Sequence, residues 1–322
     1  MKTVDPAENP QVEHRVRDFL KALNGAGGPP LETLTPAAAR QVLVGAQASV
    51  PITLPPAEVT EKRITQDGLT IGLHIVRPAG ATGTLPAFLF IHGGGWVLGD
   101  FPTHERLVRD LVTVSGAVAV FVNYTPSPEA RYPTAIREIH AASRWVAAHG
   151  AEIGVDPRRL VIAGNSVGGN MTAAVALLAR HQGGPEFRAQ LLLWPVTDAS
   201  FDTASYHEFA AGYFLTRAMM QWFWDAYTTD PAQRREIHAS PLQASLEQLR
   251  GLPPALVQVA GADVLRDEGL AYARKLDGAG VDVTVVRYDN LIHDYGLLNP
   301  IHDVPAVRDA LDQAGRWLKR HL

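Results

Sequence analysis

Gly164-Asn165-Ser166-Val167-Gly168 sets one serine between two glycines, directly after the apolar run Leu160–Ala163 and directly before the helical run GGNMTAAVALLAR. Strand, sharp turn and helix in that order lift a hydroxyl above a sheet edge, at the positive end of the following helix. The flanking glycines tolerate a strained turn and let neighbouring backbone pass closely. The chemistry this suggests is nucleophilic attack by Ser166. The plainer alternative is a strand–helix turn with a capping serine.

His92-Gly93-Gly94-Gly95-Trp96 follows a second apolar strand, Ala87–Ile91. Acyl transfer places negative charge on an oxygen in the transition state, and preorganised backbone N–H groups stabilise it. The amides of Gly94 and Gly95, with that of Val167 after the serine, are the candidates for such a hole. A phosphate loop is the competing reading, but the run has neither G-x-x-x-x-G-K-[ST] nor G-x-G-x-x-G spacing. A neutral serine also needs a base, and the base an orienting acid. The order expected behind a strand–serine–helix elbow is Ser, then Asp or Glu, then His, each just past a strand. Strand 255–260 ends at Asp263, and strand 282–288 runs into the loop that carries His293. Asp267, Glu268 and Asp294 are nearby acids. The first two read as first-turn helix residues, and Asp294 is displaced by sitting beside the base.

The elements that must position these residues alternate along the chain. Strands are expected at 58–64, 69–76, 87–91, 117–123, 160–164, 189–193, 255–260 and 282–288, with helices at 104–114, 134–148, 168–181, 267–278 and 305–320. The first two strands alternate in polarity and suit an antiparallel edge pair. Later ones such as AFLFI are continuously apolar, as parallel strands covered on both faces are. The pattern is α/β, with ligands at the carboxyl ends of strands. Two stretches break the rhythm. Residues 1–50 read as helices around 11–23 and 36–48, and 197–240 is aromatic-rich and helical in character. Together they suit a helical cap over the sheet's active edge, whose aromatics otherwise read as ordinary helix core.

Composition narrows the function. Of 322 residues 46% are hydrophobic, and 29 Lys+Arg against 33 Asp+Glu leave −4 with no long run of like charge. Nucleic acid is therefore an unsuitable partner, since phosphate binding needs clustered cations. The absence of cysteine excludes disulfides, thiolate metal sites and a cysteine nucleophile. No HExxH or similar spacing supports a metal. The N-terminus, MKTVDPAENP, lacks a signal peptide's apolar region. The longest uncharged run, Leu160–Ala179, holds Asn165, Ser166 and Asn170, so it reads as strand, turn and helix rather than a membrane span. A cytoplasmic location without membrane or nucleic-acid partner is expected. Nothing fixes the oligomeric state, and a homodimer is compatible.

HGGGW, VNYTPSPEARYP, GNSVGGN, LLLWPVTD, GLPPALVQVAGADVLRDEG and IHDYG occur in this order. Together they resemble the hormone-sensitive-lipase-like branch of α/β-hydrolase esterases, bacterial family IV, from about residue 58 to the C-terminus. The resemblance implies an α/β-hydrolase fold, with a mostly parallel eight-stranded sheet flanked by helices. It divides the chain into N-terminal cap helices (1–50), first core part (51–196), cap insertion (197–240) and second core part (241–322). It implies a cofactor-free, metal-free serine carboxylesterase for short- to medium-chain esters. Ser166 would be the nucleophile, His293 the base and acid, Asp263 the orienting acid, and Gly94, Gly95 and Val167 the oxyanion donors. Trp96, Trp194, Phe214, Met219, Trp222 and Phe223 are expected to line the substrate pocket, with Trp194 as a wall. Amide or lactone hydrolysis by the same triad is the nearest alternative. A ligand receptor on this fold is a remoter one, since such relatives typically lack the catalytic histidine. Three departures stand out. Asn165 and Val167 replace Asp and Ala of the usual G-D-S-A-G-G, Val264 replaces the Pro of D-P-L-R-D-E, and Trp194 stands where a smaller aromatic is usual.

Overall fold

The computed structural model describes residues 5–322. Residues 1–4 of the N-terminal segment therefore lie outside the described residues. Two amphipathic helices, α1 (His14–Gly25) and α2 (Pro36–Ala48), precede the sheet. Strands β1 (Ala57–Gln66), β2 (Leu69–Pro78) and β3 (Leu85–Ile91) lead to α3 (Phe101–Ser115), and then come β4 (Val118–Asn123) and α4 (Thr134–His149). Next are β5 (Val155–Asn165), α5 (Val167–Gln182) and β6 (Gln190–Leu193). Four helices follow: α6 (Ala204–Glu208), α7 (Arg217–Tyr227), α8 (Pro231–Arg234) and α9 (Leu246–Leu249). The chain closes with β7 (Ala255–Ala262), α10 (Arg266–Gly278), β8 (Val283–Ile292) and α11 (Pro305–His321).

All eight strands join one sheet in the order β1-β2-β4-β3-β5-β6-β7-β8. β2 runs antiparallel to both of its neighbours and the remaining pairs are parallel. This is the expected α/β-hydrolase sheet, with its antiparallel pair at the edge. Polarity follows position. β1 mostly alternates between half-buried and exposed residues, whereas β6 and β7 are buried at every residue, as a strand covered on both faces requires. The helices supply that cover: α3 packs on α11, α4 on α5, and α10 on β7.

α5 is buried along its first eleven residues, Val167 to Leu177. Its glycines make the close approach. A side chain on Gly168 would meet the Ile91 carbonyl oxygen at 2.0 Å, and one on Gly169 would meet Pro195 at 2.9 Å. The register places Asn165 beside Leu193 and Gly164 beside Ile91. The carboxyl ends of β3, β5 and β6 therefore meet where the serine emerges.

Candidate active site

Ser166 occupies the turn between β5 and α5 with φ 55° and ψ −121°. A non-glycine residue there is strained by about 1–3 kcal/mol, and the packing of both flanking elements holds it. Although Ser166 is the N-cap residue of α5, its side chain makes no capping bond. The hydroxyl points instead to His293, whose Nε2 lies 3.0 Å from Ser166 Oγ. His293 Nδ1 lies 2.7 Å from Asp263 Oδ2, while Asp263 Oδ1 accepts from the Leu265 N–H at 2.9 Å. Asp263 follows β7 and His293 follows β8, both at the sheet's carboxyl edge. The three side chains are nearly inaccessible.

This geometry sets the proton positions. An ionised Asp263 accepts only, so Nδ1 carries the donor hydrogen and Nε2 is left to accept from Ser166. Burial opposes protonation of His293, but the charges of Asp263 and Asp294 and the Nδ1 hydrogen bond outweigh it, so its pKa is raised above 6.5. The alternative acids are engaged elsewhere. Asp267 accepts from Arg266 and the Ser205 N–H, and Glu268 from the N–H groups of Thr197 and Asp198.

The glycine loop after β3 stands against the same site. Gly94 and Gly95 have φ 103° and 62°, and side chains there would strike the Leu98 carbonyl oxygen at 2.4 Å and the Phe223 ring at 2.1 Å. Their N–H groups make no hydrogen bond among the described residues. Val167 is the first residue of α5, so its N–H has no acceptor within the helix. His92 steadies the loop from below. Burial lowers its pKa to about 4, and as a neutral ring it donates from Nδ1 to the Gly93 carbonyl at 2.8 Å while stacking on Tyr124.

Ser166, His293, Gly94 and Gly95 open on an apolar cavity. Phe214, Met219 and Phe223 line it, as the sequence suggests, together with Leu215, Met220 and Leu98. The other wall comes from the N-terminal segment: Leu23 of α1, Leu31, and Val42, Leu43 and Ala46 of α2. Those aliphatics were not anticipated, because on an amphipathic helix nothing separates a cavity-facing leucine from a core one. Three expected lining residues lie off the cavity. Trp96 is buried with its ring 4.1 Å from that of Tyr227, so it packs the glycine loop onto α7. Trp222 packs on Phe223 and does not line the cavity. Trp194 is 1% exposed and stands behind Asp294, to which its indole donates at 2.7 Å. The wall residue is therefore Asp294, which lines the cavity with one carboxylate oxygen 3.8 Å from His293 Nε2.

A family model described as alpha/beta hydrolase fold matches residues 88–297. The chain belongs to that family. Among α/β hydrolases it falls in the hormone-sensitive-lipase-like branch that its motifs resemble. A thermostable esterase from Pseudomonas putida ECU1011 is 65% identical, with 98% of each chain covered and a TM-score of 0.97. An esterase structure from the fungus Rhizomucor miehei is 40% identical, with 96% of each chain covered and a TM-score of 0.91. A Mycobacterium tuberculosis carboxylesterase is 36% identical over 277 residues, which cover 84% of this chain and 85% of that one.

Proposed function

We propose that this α/β hydrolase is a serine carboxylesterase acting on small short- to medium-chain esters through an acyl-enzyme. The observation that carries the reading is the unbroken relay Asp263–His293–Ser166, with bonds of 2.7 and 3.0 Å, at the floor of an apolar cavity. Ser166 Oγ attacks the ester carbonyl carbon as its proton passes to His293 Nε2. The carbonyl oxygen gains the electron pair and sits against the N–H groups of Gly94, Gly95 and Val167. Collapse expels the alcohol, which takes the proton from His293, and leaves an ester on Ser166. Water, losing its proton to the same nitrogen, attacks that ester, and collapse frees the acid as His293 Nε2 returns the proton to the departing Ser166 Oγ. Asp263 holds the imidazole tautomer and balances its transient charge.

α1, α2 and residues 197–240 act in this reading as a cap, since they supply most of the cavity's apolar wall. No helix among the described residues is long and apolar enough to cross a membrane, and a walled cavity suits dissolved esters better than an oil interface. The test is a panel of nitrophenyl esters of increasing acyl length. Turnover is expected to peak at short to medium chains, and Ser166→Ala, His293→Ala and the double variant to lose it by similar factors. Triad members act as a unit, so multiplicative losses in the double variant contradict the mechanism. Preference for emulsified long-chain triglyceride contradicts the cap reading.

A further inference from the structure

Asn165 stands between two groups of opposite hydrogen-bonding demand. On one side the Gly93 N–H, a donor only, meets Asn165 Oδ1 at 2.9 Å. On the other, Asn165 Nδ2 donates to Asp294 Oδ1 at 3.1 Å, and Trp194 Nε1 donates to that same oxygen at 2.7 Å. The two partners fix which end of the amide is oxygen. Asn165 is wholly buried, and the position a Gly93 side chain would take lies 2.6 Å from Nδ2. The space admits little besides this side chain.

Each member of the bridge is the chain neighbour of a group the mechanism uses. Gly93 precedes Gly94, Asn165 precedes Ser166, and Asp294 follows His293. We propose that Asn165 and Asp294 are a matched pair that positions the glycine loop, the nucleophile and the base relative to one another. Asparagine is required at 165 because Asp294 is a carboxylate. Aspartate at 165 would still accept from Gly93, but it would set a second carboxylate about 3 Å from Asp294 Oδ1, and like charges that close cannot both ionise. An apolar residue of the same shape would strand the buried Gly93 N–H. Asn165 is thus a positioning residue, and the inference rests on the esterase reading only for its kinetic readout.

The test is a cycle of Asn165→Asp, Asp294→Asn and the double variant in the full chain, with nitrophenyl butyrate kinetics from pH 5 to 9 and thermal melting. In the double variant an amide nitrogen in the place of Asp294 Oδ1 can donate to the carboxylate introduced at 165 and so relieves the like-charge contact, but it gives up the Trp194 bond, because both bonds meet that one atom. Asn165→Asp is expected to lose about tenfold or more in kcat with KM little changed, as for loss of a well-aimed oxyanion donor. It should also gain a titration limb from the proton shared by the carboxylates at 165 and 294, of which Asp294 also faces His293, with Asp263 on the far nitrogen of that ring. The double variant should lose that limb and recover several-fold in kcat over Asn165→Asp, with a non-additive gain in melting temperature. An Asn165→Asp enzyme with parental kcat and pH profile overturns the proposal. So does a double variant no better than Asn165→Asp in either kcat or melting. Should Asn165→Asp not fold, a folded, active double variant supports the pair and an unfolded one overturns it. Melting needs no turnover, so a parent chain inactive on esters would defeat the esterase reading while the stability cycle still judges the pair.

Discussion

His293 answers to two carboxylates rather than one. Asp263 engages Nδ1 at 2.7 Å, and Asp294 sits 3.8 Å from Nε2 on the substrate side. Burial alone would push the imidazole pKa down, but the two charges reverse that and raise it. A base must be neutral to accept a proton, so activity should fall as pH drops through a value above the ordinary imidazole range. Replacing Asp294 with Asn removes one of the two charges and should move the acid limb of kcat/KM to lower pH. A limb at or below 6.5 in the parent enzyme would show that burial prevails over the two charges, and one that Asp294→Asn leaves in place would show that Asp294 does not act on the base. Strain accompanies this crowding. Of the six non-glycine residues with positive φ among the described residues, five are Trp96, Ser166, Trp194, Phe214 and Asp294, all at or beside the site.

The elements that carry the site were largely legible as patterns, and the exceptions have physical causes. All eight strands fall where β-branched and apolar runs lie, but β5 begins at Val155 rather than 160. Asp156-Pro157-Arg158-Arg159 reads as a turn, yet Val155 still pairs with Leu85 at the sheet's amino end. The aromatic segment 197–240 holds one helix of appreciable length, α7, with turns around it. Its side chains pack as a mosaic that no period announces. Trp194 was legible as a sheet-edge residue, but not that Asp294 would stand in front of it. That depends on the positive φ of both residues.

Two predictions belong to these elements. Phe223 of α7 covers Gly95 and lines the cavity, while Trp222 packs on Phe223 without lining it. Phe223→Ala should therefore raise the rate ratio of bulky to acetate-sized esters, while Trp222→Ala should leave that ratio unchanged. Equal profiles would mean that α7 only packs. The glycine loop carries the second. His92 is buried and neutral with its pKa lowered to about 4, so between that value and 6.5 the unfolded chain binds the proton that the folded one refuses. Its stabilising contribution is complete above 6.5 and is lost as pH falls toward 4. The drop is about 3 kcal/mol over those 2.5 pH units. His104, which burial also holds well below 6.5, adds to the same slope. His92→Phe, which keeps the stack on Tyr124, should flatten the fall in unfolding free energy between pH 6.5 and 4. An unchanged slope would assign acid sensitivity to other groups.

At the scale of the molecule, the cavity exists only while the N-terminal helices stay on the sheet. Two side chains of α2 hold them there and bracket its cavity-lining residues Val42, Leu43 and Ala46. Arg40 donates to the carbonyls of Val97 and Ser127 and pairs with both oxygens of Glu129. Gln47, at the far end, donates to the carbonyls of Thr103 and Leu297 and accepts from the Asn299 N–H. Their weights differ. Glu129 is half exposed, so the ion pair is worth about 1 kcal/mol at most in salt. Gln47 is buried, and a buried polar group left unpaired costs about 1–3 kcal/mol. Gln47→Leu fills the space but strands those partners, so it should lower stability more than Arg40→Ala does. Loosening α2 removes apolar wall without touching the relay. KM for hexanoate and octanoate esters should therefore rise several-fold, while kcat on acetate esters stays close to the parent. Parallel losses on short and medium chains would show that α2 supports the catalytic groups themselves rather than the acyl pocket.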